Sequence, residues 1–215
     1  MLRRLIQLYT GLVFYGISIA VFYRANLGLD PWDVFHMGLA QLTGLKLGQT
    51  VILVGALVLL LWWPMRQKPG LGTISNVIVL GLVADAVLAI FPPITDLWVR
   101  SLCLVIAIVL NALATSLYIG AGFGAGPRDG LMTGMHNRMG WPIRRIRTVI
   151  ELTVLLVGFL MGGSLGIGTV LYAVSIGPLI QLTLPWFSAH RSGKLKAEIS
   201  EKSQGNTLSD LKSSL

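Results

Sequence analysis

Two aspartates close the same six-residue pattern. Gly28-Leu29-Asp30-Pro31-Trp32-Asp33 and Gly124-Ala125-Gly126-Pro127-Arg128-Asp129 both read G-x-x-P-x-D, 96 residues apart. The repeated positions are Gly28, Pro31 and Asp33 against Gly124, Pro127 and Asp129. A carboxylate two residues after a proline suits a helix start, where it accepts from orphan N–H groups. The sequence thus reads Asp33 and Asp129 as N-caps. The same residues could also line a binding site. Helix N-termini favour anions, and Arg128 adds to that preference; the two aspartates oppose it unless caps consume them. His36 follows Asp33 by three residues and could relay a proton near neutral pH.

Asp85 is the other ionisable group of interest. It lies inside the apolar stretch Thr73–Ile90, and a charge within a membrane span is a functional candidate. Its counterpart at the same offset is Gln181, so any role it has is asymmetric. Glu151 lies four residues after Arg147, the spacing of a helical ion pair. Asn76 and Asn111 fit interhelical hydrogen bonds. The candidate path residues are therefore Asp33, His36, Asp85, Arg128 and Asp129. There is no P-loop, H-x-x-x-H or G-x-S-x-G. No catalytic set, metal site or cofactor is expected, and the chain is not read as an enzyme.

The elements that position these residues are membrane helices. Of 215 residues, 54% are hydrophobic and 12% charged, against about 25% charged in a soluble domain. Apolar runs reach the roughly 20 residues that cross a bilayer. Expected spans fall near 5–23, 47–63, 73–90, 98–119, 148–161 and 168–187. The net charge of +8 is then a sign of cytoplasmic loops, not of nucleic acid. One cysteine, Cys103, excludes an internal disulfide. The run after Met1-Leu2-Arg3-Arg4 is long for a signal peptide and is read as a retained span.

The offset of 96 continues without a gap from Gly28 to Gly81, with about a quarter of positions identical. It pairs Val58-Leu59-Leu60 with Val154-Leu155-Leu156 and Gly72-Thr73 with Gly168-Thr169. Duplication explains such a register. The segments after each motif, about Asp33–Leu45 and Asp129–Met139, are too short or too polar to span. The expected fold is thus an all-α polytopic membrane protein. Two tandem repeats, 1–96 and 97–187, each hold three transmembrane helices and one short re-entrant helix, and the repeats are inverted. Residues 188–215 are expected to form a disordered basic cytoplasmic tail. With six crossings and a cytoplasmic N-terminus, only Arg24, Lys46 and Arg100 of the 17 basic residues lie outside, leaving 14 inside. With eight crossings the count is 13 against four. The positive-inside rule barely separates these alternatives, and the polarity of Asp129–Met139 favours six. Both place the two termini in the cytoplasm.

The stretch Pro31-Trp32-Asp33-Val34-Phe35-His36, the turn Arg66-Gln67-Lys68-Pro69-Gly70-Leu71-Gly72-Thr73 and Gly126-Pro127-Arg128-Asp129-Gly130-Leu131-Met132 resemble the YczE-like bacterial membrane proteins, relatives of the YitT group. The resemblance implies a protein of the bacterial inner membrane and implies no defined activity. Two functions are expected from the residues. The first is a small transporter or permease, its substrate unknown, with a small anion or amphiphile suggested by the helix ends and Arg128. A homodimer is one way for so small a chain to enclose a path. The second is a non-transporting accessory factor that binds another membrane protein through the basic loops and tail. The partners expected are thus the lipid bilayer, a second copy in a homodimer and an unknown small-molecule substrate, and not nucleic acid.

Overall fold

Proline and glycine set where the helices begin and end. The computed structural model describes residues 1–188. They form α1 Leu2–Ala25, α2 Pro31–Thr43, α3 Leu47–Trp62, α4 Leu71–Ile90, α5 Leu97–Ala121, α6 Pro127–Met139, α7 Ile143–Leu160 and α8 Ile167–Ser188. All of the expected tail except Ser188 lies outside the described residues. The helices α2 and α6 open on Pro31 and Pro127, where a missing N–H costs nothing. Both close on a left-handed glycine, Gly44 at φ 72° and Gly140 at φ 69°, a conformation open to glycine without strain.

The capping residue differs from expectation. With proline at N1, the N-cap falls one residue earlier. Asp30 Oδ1 accepts from the Asp33 N–H at 2.8 Å. In α6 the same position is Gly126, with nearly the same backbone angles and no side-chain cap. Asp33 and Asp129 sit inside the first turn with their carboxylates free for other partners.

Several polar side chains are buried beside the apolar core while large apolar ones also face outward, as suits a lipid-facing bundle. Ser18, Thr50, Asn111 and Ser116 are buried, while Leu60, Trp98, Leu102 and Val174 are exposed. The expected interhelical role of Asn111 is present: its amide donates to Ser18 Oγ at 3.0 Å and accepts from Tyr172 OH at 3.3 Å. The long helices α1 and α5 pack antiparallel. Arg4 Nε donates to the Ala121 carbonyl at 2.9 Å, and Arg100 Nε to the Ala25 carbonyl at 2.7 Å. The helix α4 runs parallel to α1, with Tyr9 OH on Ser75 Oγ near one end and Arg24 on the Leu88 carbonyl near the other.

By length and hydropathy, four helices suffice to cross a membrane: α1, α4, α5 and α8. A fifth span arises if α2 and α3, bent by 111°, count together. This is fewer than the six spans expected. The helix α3 has 16 residues, about 24 Å at 1.5 Å per residue, and α7 carries Arg144, Arg145 and Arg147 at its start.

The paired motifs are held by backbone. Gly28 has φ +112° and Gly124 φ +122°. A Cβ on Gly28 would lie 2.8 Å from the Gly166 nitrogen, and one on Gly124 2.8 Å from Thr73 Oγ1. Both positions therefore need glycine for conformation and for space. Beside them, the Gly72 N–H donates to the Phe123 carbonyl at 2.9 Å and the Gly168 N–H to the Leu27 carbonyl at 2.8 Å.

Candidate functional site

The first turns of α2 and α6 meet inside the bundle. Two carboxylates of α2 share one guanidinium of α6: Arg128 Nη1 lies 3.8 Å from Asp30 Oδ1, and Nη2 lies 3.7 Å from Asp33 Oδ1. Asp33 Oδ1 also pairs with His36 Nδ1 at 3.0 Å. Asp30, Asp33 and His36 are each 1% exposed. The Arg128 guanidinium stacks over the Trp32 ring, 4.9 Å from its centroid. Asp129 turns to the other side and accepts from Tyr118 OH at 2.7 Å through Oδ2.

All of these groups except Asp33 border a cavity of about 200 Å³. Tyr15, Asp30, Trp32, Tyr118, Arg128 and Asp129 are among its walls, with Asn76, Arg147, Glu151 and Tyr172 further along. Several polar atoms at this site are buried without a hydrogen-bond partner among the described residues: Asp30 Oδ2, Asp33 Oδ2 and Trp32 Nε1. A buried polar atom left unpaired normally has an explanation such as an unseen water, ion or ligand. The expected Arg147–Glu151 pair is present at 2.8 Å, with Arg147 exposed and Glu151 partly buried, among the residues lining the cavity.

Of the five candidates from sequence, four converge here: Asp33, His36, Arg128 and Asp129. Asp85 stands apart. Its Oδ1 accepts from the Gly48 N–H at 2.7 Å, so it caps the first turn of α3 from the neighbouring helix and does not border the cavity. Asp85→Ala is expected to lower stability by about 0.5–2 kcal/mol, the usual loss for a helix cap. Unfolding in detergent measures it. Sequence reasoning missed Asp30, Tyr15, Trp32, Tyr118 and Tyr172. For Asp30 a signal existed, since the residue before an N1 proline is the natural cap. The aromatic residues look like ordinary core in sequence.

A charge cluster of this kind inside a helical bundle is costly in hydrocarbon and marks function in membrane proteins. Known proteins agree with the membrane placement. The chain is 34% identical over 172 residues, 80% of each chain, to the uncharacterised membrane protein YczE of Bacillus subtilis. It is 40% identical over 169 residues to an uncharacterised protein of Haemophilus influenzae, covering 79% of this chain and 78% of that one. No solved structure matches. This is a multi-pass membrane protein, and over residues 2–185 it matches, and so belongs to, the family of unknown function DUF6198.

Proposed function

We infer that the chain is a small transporter of the bacterial inner membrane, built as an inverted repeat with both termini in the cytoplasm. One observation carries this reading: the N-termini of two short helices meet at a buried charge cluster beside a cavity. Discontinuous helices that meet at such a site are the arrangement of many secondary transporters. Irregular backbone at membrane depth is tolerated where it lines a cavity or lies within protein, as Gly28–Asp30 and Gly126 do.

The inverted repeat has its own support. The offset of 96 relates the first residues of α2 and α6, of α3 and α7, and of α4 and α8. At that offset Gly72→Phe123 and Gly168→Leu27 are one hydrogen bond written twice with the halves exchanged. Such reciprocity is the mark of a two-fold relation. The counterpart helices α1 and α5 run antiparallel, so the axis lies across them, in the membrane plane.

The test is uptake by proteoliposomes across a panel of small cations, anions and zwitterions, with Asp30→Asn as control at equal protein density. Solute-dependent flux that falls at least about tenfold in the variant supports the reading. Equal flux in both, or none for any solute, sinks it. A second reading is an accessory factor that docks on another membrane protein. What favours it is the exposed basic start of α7, where Arg144 and Arg145 flank Trp141. Truncation after Ser188 combined with Arg144→Ala and Arg145→Ala would abolish docking and spare transport.

A further inference from the structure

The charges and aromatic rings at the cavity define what would fit it. Two carboxylates, Asp30 and Asp33, face the Arg128 guanidinium; a third, Asp129, holds Tyr118 and also lines the cavity, while Arg147 is already matched by Glu151. Allowing about +0.5 charge for each helix N-terminus, the balance stays near −1 with His36 neutral. The walls add four aromatic rings, Tyr15, Trp32, Tyr118 and Tyr172. Carboxylates with aromatic faces form a cation site. The anion suggested by the helix ends alone does not suit it.

Arg128 occupies that site loosely. Its nitrogens stand 3.7–3.8 Å from both carboxylates, beyond the roughly 2.7–2.9 Å of a charge-assisted hydrogen bond. It covers the Trp32 face, and it remains 21% exposed. Asp30 Oδ2 and Asp33 Oδ2 have no partner among the described residues, although both side chains are at least nine-tenths buried. Arg128 thus leaves two carboxylate oxygens at the site without a donor.

We propose that Arg128 is a tethered stand-in for the substrate, and that the cavity takes a small organic cation of the guanidinium or alkylammonium type, which displaces the Arg128 side chain from Asp30, Asp33 and Trp32. The proposal rests on the cavity being the transport path and names the substrate class. A tethered competitor acts at high effective concentration, so the resting site binds a free cation weakly. When the cation enters, Arg128 must leave the carboxylates, which couples occupancy to movement of α6 against α2. No bond is made or broken.

The experiment is equilibrium binding of radiolabelled methylguanidinium to purified full-length protein in nanodiscs. Wild type should bind weakly. Arg128→Ala should bind at least about tenfold more tightly, Arg128→Lys should resemble wild type, and Asp30→Asn added to Arg128→Ala should abolish the gain. If Arg128→Ala does not fold alone, methylguanidinium in the growth medium should restore its yield. Unchanged binding in folded Arg128→Ala overturns the proposal, as does failure of methylguanidinium to rescue an unfolded one. Benzoate binding by wild type that is lost in Arg128→Ala also overturns it, because that result marks an anion site. The readout is binding, so cation binding without flux in proteoliposomes would remove the transporter reading and leave the cation site standing.

Discussion

Asp33→Ala should destabilise the folded protein by about 3–5 kcal/mol, the cost of removing one partner from a buried charge pair. The carboxylate is 1% exposed. It accepts from His36 and faces Arg128 in the first turn of α2, where the helix dipole favours a negative charge. Alanine leaves His36 Nδ1 without its partner and Arg128 with Asp30 alone. Asp129→Ala is the comparison. It removes one hydrogen bond, from Tyr118, and should cost about 1–2 kcal/mol. Asp33→Asn keeps an oxygen for His36 and should fall between the two. Unfolding by titrated denaturing detergent gives all three values. Equal losses for Asp33→Ala and Asp129→Ala would mean that the cluster around Arg128 contributes little to folding, and that solvent in the cavity screens it as it does a surface pair.

The fate of the aspartates separates what is legible in sequence from what is not. Local geometry is legible, because Pro31, Gly44, Pro127 and Gly140 act within their own turns. The helix bounds of α2 and α6 follow from them. The misplaced cap is a local error with a local remedy: an N1 proline points to Asp30, not Asp33. Asp85 is different. Its partner, the Gly48 N–H, lies 37 residues away on another helix, and no spacing rule links them. A charge in a span looks functional until the close approach of α3 and α4 turns it into a cap. The aromatic wall is unreadable for the same reason. Tyr15 and Tyr118 stand in apolar helices of ordinary composition, and only antiparallel packing of α1 on α5 brings their rings to 6.2 Å. Trp32 and Arg128 are an intermediate case. The offset of 96 pairs them, and the stacking of one on the other is what a two-fold relation between the halves would give.

The proposed inverted repeat predicts a labelling pattern. In a background with Cys103→Ala, Gln67→Cys should resist an impermeant maleimide in intact cells and react once the membrane is opened. Thr95→Cys should react from outside. The chain can be traced by its contacts. The helix α1 runs from the N-terminal face to the opposite face, and α4 runs parallel to it. Between them the chain must return. The helix α3 does so: its first turn meets Asp85 late in α4, and Gly55 meets Val77 earlier in α4, so the two are antiparallel. In the proposed topology the helix α2 adds no crossing. It starts beside Arg128 at the centre, and Gly38 and Gln41 then reach the end of α7 at Gly158 and Gly162. That end lies on the face where Ser164 meets Asn26 at the close of α1. This path puts Gln67 on the same face as the N-terminus, as the Gly70–Phe123 contact and Arg4 on Ala121 also require. The proposed orientation, which follows the basic excess, takes that face as cytoplasmic. If α2 and α6 each crossed, every site from Lys46 to Arg100 would change sides, and Gln67→Cys would label from outside while Thr95→Cys would not. That outcome would make the halves parallel. It would also remove the opposed helix N-termini on which the cation site depends.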